Sequence, residues 1–280
     1  GAALAWIDLH YAQRRLVALD EVDRALSPLR GSAPAQLVAG ALRPAQALEA
    51  DQLTAALGDR RAELTAAIAK ARAELARWTG DSAPEVAGPP PAHALNPASL
   101  RAGLERGPVL SAYDALERQA DADLAAARAD KRPDWTWELT YQHRDPRWGE
   151  MVSLGATVSL PVFAAKRQDP AIAARAARAG RVRLDRETAR RELAAALDTD
   201  LADQVRLHDR LARAEATLVP LAKRRADLET ASYAAGSAGL DDVLQAFLAV
   251  ADAHIDRLDR EAALSRATVR IALTYGTDAP

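Results

Sequence analysis

Histidine is the side chain best suited to bind a metal or transfer a proton at neutral pH, and the chain has five. They are scattered along the sequence. One helical turn before His208 stands Gln204, a poor metal ligand, so a surface hydrogen bond is the simpler interpretation of that pair. We therefore predict no metal site. The histidines are His10, His93, His143, His208 and His254.

Other motifs for bond chemistry are absent from the sequence. The 280 residues include no cysteine, which excludes a thiolate nucleophile, a disulfide framework and a cysteine-based zinc site. There is no glycine-rich phosphate loop and no nucleophile elbow. We predict that the protein is not an enzyme and requires no cofactor.

A run of arginines in the second half of the chain could suggest nucleic-acid binding. The whole chain, however, carries 37 Lys and Arg against 39 Asp and Glu, a formal net charge of −2. Asp185, Glu187 and Glu192 are interleaved with the arginines, and no aromatic residue stands among them to stack on bases. We predict a solvated helix face and no nucleic-acid partner. The arginines are Arg175, Arg178, Arg181, Arg183, Arg186, Arg190 and Arg191.

Long helices are the elements predicted to carry these residues. Alanine supplies 68 of the 280 residues and aromatic residues only 4%, which is typical of closely packed helices. No 18 consecutive residues are apolar, so a transmembrane helix is not expected, whereas membrane β-strands give a weaker signal and are not excluded. Gly1 already lies inside an amphipathic segment, and we interpret the chain as a fragment of a longer polypeptide.

Apolar residues at helical spacing define the first half of the chain. The pattern from Leu4 to Leu29 predicts a helix that ends near Pro28 and Pro34. A second helix is predicted from Pro44 to Trp78 and stops at Gly80. The remaining segments of this half are an extended surface linker at 81–98 and helices at 98–106 and 108–130.

Two predicted helices of the second half complete the pattern. The first runs from Pro170 to about Tyr233 with interruptions at Gly180 and Pro220, and the last runs from residue 240 or 241 to Tyr275. A shift of about 196 residues places Gly40 on Gly236 and Gly80 on Gly276, and these glycines bracket both helices. This correspondence predicts an internal duplication.

Residues 134–163 break the helical period. Apolar and polar residues alternate in two stretches of about ten residues, joined by a turn at 143–150, which predicts a β-hairpin. Such strands have the length needed to cross a bilayer at a tilt. The apolar face is Trp135, Trp137, Leu139, Tyr141, Val152, Leu154, Ala156, Val158 and Leu160. The polar face includes Thr136, Glu138, Thr140, Ser153, Thr157 and Ser159.

Two interpretations of this hairpin are open. Alternation alone is more common in soluble proteins, where the face with Trp135 and Trp137 would be buried on helices. A hairpin in lipid would have two unpaired edges, so a membrane version requires further strands from other subunits or from the missing N-terminal part. The soluble interpretation corresponds to an elongated coiled-coil scaffold capped by the hairpin.

The sequence resembles the TolC family, the outer-membrane channel proteins of tripartite efflux and secretion systems. The similarity rests on the duplicated helical hairpins, the strand hairpin between long helices, the segment Tyr233–Ala246 and the helix ending at Gly276. Lys131–Trp135, entering a strand, and Leu160–Phe163, leaving the next, are also similar to the family. The resemblance covers nearly all of the chain.

This resemblance implies a mainly α fold, with long antiparallel coiled-coil helices in a periplasmic α-barrel and one hairpin in a shared outer-membrane β-barrel. It implies a passive homotrimeric conduit for small substrates or metal ions, with a periplasmic adaptor (membrane fusion) protein and an inner-membrane pump of the resistance-nodulation-division type as partners. Residues 167–174 are more similar to the heavy-metal efflux branch than to the others. The implied parts are a truncated first-repeat hairpin (1–80), an equatorial linker (81–107), a helix toward the membrane (108–133), the β-hairpin (134–163) and the second-repeat helices (164–280).

Helix–turn–helix tips in this family meet the adaptor and close the periplasmic entrance. The corresponding tips here are residues 39–46 and 235–242, in which a glycine permits a tight turn. Asp242 matches an aspartate that rings the constriction, although a helix N-terminal acid beside the dipole is the alternative interpretation. The apolar face of the hairpin would then meet lipid and its polar face the lumen. The implied entrance residues are Gly40, Glu49, Gly236, Leu240, Asp242 and Gln245.

Overall fold

A computed structural model describes residues 1–40, 43–90 and 93–276, so Ala41 and Leu42 of the first predicted tip lie outside the described residues. The chain divides into two compact units, one formed by Gly1–Pro97 with Leu197–Pro280 and the other by Ala98–Ala196. Its elements are α1 (Ala2–Val38), α2 (Pro44–Thr79), α3 (Pro97–Gly103), α4 (Pro108–Ala129), β1 (Asp134–Gln142), β2 (Met151–Ser159), α5 (Ala164–Arg213), α6 (Val219–Ala234) and α7 (Leu240–Tyr275).

The predicted duplication is visible in the helix bounds. Both α2 and α7 contain 36 residues, and adding 196 to the bounds of α2 gives those of α7. A glycine in the left-handed region precedes each helix, with φ of 72° at Gly40 and 76° at Gly236. The far ends differ, because Gly80 has φ 75° and Gly276 has φ −70°. The internal repeat is therefore confirmed. The two copies agree in backbone conformation at the glycine before each helix and differ at the glycine after it.

Helix α1 continues past its predicted end. The predicted stop near Pro28 and Pro34 is wrong, since both prolines lie inside the helix. A proline in a helix interior removes one backbone hydrogen bond and usually breaks the helix. Leu26 and Ala33, which are 0% and 5% exposed, belong to a core shared with α2, α6 and α7. Burial of this face outweighs the local cost of the prolines.

Helix α5 also differs from its prediction. It begins at Ala164, six residues before Pro170, and passes through Gly180 without a break. Glycine inside a helix costs only about 1 kcal/mol relative to alanine, which a 50-residue helix absorbs. The interruption predicted at Pro220 is not a break in the helix: a π-helical turn at Ala214–Leu218 precedes the proline, and the backbone at Leu218 and Val219 stays right-handed helical.

Apolar contacts between α1 and its neighbours form the rest of the core of the first unit. Ile7 and Tyr11 pack against Leu258 of α7, and the Tyr11 hydroxyl lies 3.0 Å from Ser265 Oγ. Leu75 of α2 packs near Val86 of the linker, which is therefore partly attached to the helices and not simply extended over the surface. None of the described helices contains an 18-residue stretch apolar and uncharged enough to cross a bilayer.

His254 of α7 makes the stability of this unit depend on pH. Burial, with Lys223 of α6 and Arg257 of α7, lowers its pKa from 6.5, and Glu21 of α1 opposes the shift only in part. A histidine held neutral in the folded state contributes stability above its unfolded pKa, and this contribution is lost as the pH falls toward the lowered folded pKa. We expect the free energy of unfolding to decrease between pH 7 and pH 5, and to decrease less in His254→Gln.

Chemical denaturation at several pH values measures this dependence. His208→Gln is the matched control, because His208 is exposed on α5. An equal pH slope in His254→Gln and in the parent protein would contradict the assignment.

Candidate functional site

The predicted β-hairpin is confirmed, with the predicted alternation of faces. β1 and β2 are antiparallel, and Leu139 lies opposite Leu154 near the middle of the ribbon. Since side chains of a strand alternate between faces, the pairs of apolar residues share one face and the pairs of polar residues the other. The apolar pairs are Trp135 with Val158, Trp137 with Ala156, Leu139 with Leu154 and Tyr141 with Val152. The other face pairs Thr136 with Thr157, Glu138 with Gly155 and Thr140 with Ser153, and Leu160 follows β2 by one residue.

The apolar face of the hairpin is not covered by any described residue of the chain. Leu139 and Leu154 are 73% and 72% exposed, and Trp135 and Trp137 are 60% and 66% exposed. The scaffold interpretation required these tryptophans to be buried on helices, and they are not. Each strand also has one edge without a partner strand in the described part of the chain. An apolar, edge-exposed ribbon of this kind needs an apolar environment and further strands.

The arginine run positions the helices that flank the hairpin. Arg183 lies 2.7 Å from Asp121 of α4, and Arg186 lies 3.0 Å from Asp114. Hydrogen bonds from Arg190 and Arg191 lower the pKa of Glu187 to about 2. The run is therefore largely paired with carboxylates across and along the helices. These ion pairs tie α5, which follows β2, to α4, which precedes β1.

The two helix tips use equivalent backbone caps. The backbone N–H of Gly239 donates to the carboxylate of Asp242 at 3.0 Å, and the N–H of Arg43 donates to Gln46 Oε1 at 3.1 Å. Gln46 and Asp242 are related by the 196-residue shift. Asp242 thus has the role of a helix N-terminal acid, and its carboxylate is exposed. A role in the constriction stays a prediction.

Two predicted entrance residues lie on one surface of the first unit. Glu49 of α2 and Gln245 of α7, also related by the 196-residue shift, line a cleft of about 280 Å³. Leu240 does not face it, because that side chain is 1% exposed and belongs to the core. Sequence analysis missed Gln52 and Asp241, for which spacing of one turn from Glu49 and from Gln245 was the available signal. The cleft is lined by Glu49, Gln52, Leu53, Ala56, Asp241, Leu244, Gln245 and Leu248.

The described residues hold no group of three or more His, Asp or Glu side chains able to bind a metal ion. The predicted functional residues lie on two surfaces, the ribbon formed by β1 and β2 and the cleft between α2 and α7 near the helix tips, called the tip cleft below. Long paired helices with an uncovered two-stranded ribbon define the class of helical channel subunits that insert strands into a membrane.

Comparison with known proteins identifies the family. Residues 100–277, more than half of the chain, match the model of the outer membrane efflux protein family. The chain belongs to this family, whose members are passive channels and not enzymes. No curated protein is significantly similar in sequence.

Solved structures show the same fold. CusC superposes with a TM-score of 0.85 at 17% identity, covering 98% of this chain and 67% of CusC. A membrane protein from Pseudomonas aeruginosa gives 0.82 at 19% identity, and the open state of the Neisseria gonorrhoeae MtrE outer membrane channel gives 0.78 at 20%. For both, the match covers 98% of this chain and 65% of the other chain. The chain thus spans about two-thirds of the length of these proteins.

Proposed function

We propose that this chain is part of a homotrimeric outer-membrane channel of a tripartite efflux system in a Gram-negative cell envelope. The channel passively conducts small substrates or metal ions from the periplasm to the exterior. A periplasmic adaptor protein and an inner-membrane pump of the resistance-nodulation-division type act with it, and the pump supplies the energy. Residues 167–174, which are more similar to the heavy-metal efflux branch than to the others, support metal ions as the substrate.

The uncovered apolar face of the hairpin is the observation that carries this proposal. Side chains such as Leu139 and Leu154 would be costly in water, but they are favourable against lipid chains. Nine residues per strand are enough to cross the hydrocarbon layer at a tilt. Strands of other subunits and of the rest of the parent protein would pair with the two edges. The opposite face, with Thr136, Thr157 and Ser153, would line a polar lumen.

Cysteine labelling tests the membrane placement, since the chain has no native cysteine. Single substitutions Thr157→Cys and Leu154→Cys are made in the intact parent protein, and native membranes are treated with a bulky water-soluble thiol reagent. We expect position 157 to react at once and position 154 to react only after detergent is added. Ser153→Cys and Ala156→Cys repeat the comparison on neighbouring residues. Equal reaction on both faces, or recovery of the protein in the aqueous fraction, would contradict the proposal.

The tip cleft is proposed as the docking site for the adaptor. Glu49 and Asp241 place negative charge at its rim, and Leu53 and Leu244 supply an apolar base. A helix with a leucine and a basic residue on one face matches this pattern. Asp242, on the neighbouring turn, is proposed to contribute to an acidic entrance.

An ion pair between α2 and α7 is expected to hold the tips together. Arg60 lies 2.6 Å from Asp252, and both side chains are about half exposed. Such pairs contribute about 1 kcal/mol or less, so Arg60→Asp, which creates like charges, should increase single-channel conductance in planar bilayers only several-fold. Restoring the pair in reverse, with Arg60→Asp and Asp252→Arg together, should return the conductance toward that of the parent. A double variant that conducts like Arg60→Asp alone would show that the pair does not control the tips.

A further inference from the structure

The root of the hairpin is the region where α4 ends before β1 and where β2 ends before α5. A cavity of about 500 Å³ lies at this root. We propose that the cavity binds the headgroup of a zwitterionic phospholipid that carries a phosphate and a primary ammonium, namely phosphatidylethanolamine. This inference rests on the proposed function, because it requires the hairpin to be in a bilayer.

Charges of both signs line the cavity without pairing. Asp130, Arg132 and Asp134 all contribute to its wall. All three side chains are exposed, and within the described part of the chain none has an oppositely charged group within 4.0 Å. The adjacent Lys131, by contrast, is paired with Asp169 of α5. Unpaired charges of opposite sign around one cavity are complementary to a ligand that itself carries both signs.

A buried acceptor at the same place also lacks a partner. The Oε1 atom of Gln168 is buried and accepts no hydrogen bond from any described residue, and Gln168 lines the cavity. A primary ammonium has three N–H donors, enough for this amide oxygen and the carboxylates of Asp130 and Asp134. The phosphate would be bound by Arg132. Lys166 and Arg167, which precede Gln168, are exposed cations also without a carboxylate partner in the described chain.

Apolar residues beside the cavity match the acyl chains of such a lipid. Leu160 lines the cavity and is 67% exposed, and Val162 and Phe163 are 57% and 75% exposed. Phe163 has a φ of 61°, a strained conformation for a residue with a side chain, and its ring is exposed at the start of α5. Aromatic rings are typical of the boundary between lipid headgroups and hydrocarbon. The lipid would therefore place its headgroup in the cavity and its chains along these three residues.

The hydrogen-bond donors and charges of three phospholipid headgroups predict the order of their affinities for the cavity. Phosphatidylglycerol has no ammonium, so Asp130 and Asp134 would face an anionic headgroup without a cationic partner. Phosphatidylcholine has a quaternary ammonium, which cannot donate a hydrogen bond to Gln168 Oε1. Phosphatidylethanolamine satisfies all of these groups, so it should bind most tightly.

Native mass spectrometry of the full-length parent protein tests this order. The delipidated protein in detergent is titrated with the three phospholipids, each carrying the same acyl chains. We expect one phosphatidylethanolamine per subunit, retained at about tenfold lower concentration than the other two. Arg132→Gln should weaken binding of all three lipids, and Arg132→Lys should keep most of it. Asp134→Asn should weaken phosphatidylethanolamine binding more than phosphatidylcholine binding, and so reduce the preference between them.

Matched controls separate the cavity from surface charge in general. Arg178→Gln and Asp209→Asn make the same charge changes at exposed positions outside the cavity, and they should leave the lipid order unchanged. Equal binding of the three lipids, tighter binding of phosphatidylglycerol, or an unchanged preference in Asp134→Asn would overturn the inference. The labelling of Leu154→Cys separates a failure of the proposed headgroup site from a failure of the proposed function. Protection in membranes with no lipid preference rejects only the headgroup site, whereas labelling without detergent rejects the proposed function as well.

Discussion

Leu139→Arg should prevent the channel from assembling in the outer membrane. Leu139 lies opposite Leu154 near the middle of the ribbon, on the face that no described part of the chain covers. An arginine at the midplane of a bilayer costs about 2–4 kcal/mol on the lipid face of a strand. In the proposed homotrimer this cost would occur three times, which is comparable to the whole stability of many proteins. The amount of trimer in outer-membrane fractions from a density gradient measures the effect.

Thr157→Arg is the matched control, because it introduces the same side chain on the opposite face. Thr157 pairs with Thr136, and in the proposed channel both meet water. We expect this variant to assemble and to alter only the charge selectivity of the pore. If Leu139→Arg assembles as well as Thr157→Arg, the proposed assignment of lipid and lumen faces is wrong.

Leu26→Ala should destabilise the first unit by about 2–5 kcal/mol, the cost of removing a fully buried leucine. Leu26 is 0% exposed and lies two residues before Pro28 in α1. If packing is what keeps the helix continuous past both prolines, the substitution should also loosen residues 29–38. Urea denaturation measures the first effect, and amide hydrogen exchange of that segment measures the second.

Leu48→Ala provides the comparison for this substitution. Leu48 of α2 is 62% exposed, so its removal should change the free energy of unfolding by less than about 1 kcal/mol. Unchanged amide exchange beyond Pro28 in Leu26→Ala would show that the continuity of α1 does not depend on this contact.

Elements determined by local pattern could be predicted from the sequence. The hairpin follows from strict alternation between Trp135 and Leu160, and α7 ends at Tyr275 as its periodicity indicates. The path of α1 through Pro28 could not be predicted, because it depends on Leu53 and Leu244, which come from helices distant in sequence. The sequence around a proline indicates how much the proline destabilises a helix, but it does not indicate the packing against other helices that offsets this cost.

In the candidate sites, too, local features could be predicted from the sequence and contacts between distant residues could not. Alternation alone gave both faces of the hairpin, but the sequence could not decide whether helices would cover the apolar face. The helix cap formed by Asp242 was one of two interpretations, and the hydrogen bond from Gly239 supports it, while the role in the constriction stays a prediction. The cleft that joins Glu49 to Asp241 could not be predicted, because two residues far apart in sequence become neighbours only when α2 and α7 lie side by side.

The equal lengths of α2 and α7 limit the changes that either helix can accept. Each residue of a helix adds about 1.5 Å of rise and 100° of rotation. A single deletion inside α2 would therefore shorten that arm and turn every residue on its tip side by about 100°. Glu49 would then no longer face the cleft shared with Gln245, although every side chain involved would still be present. Insertions and deletions in one arm should accordingly be poorly tolerated, and a matched change in the other arm would not restore the packing, because both arms also pack against α1.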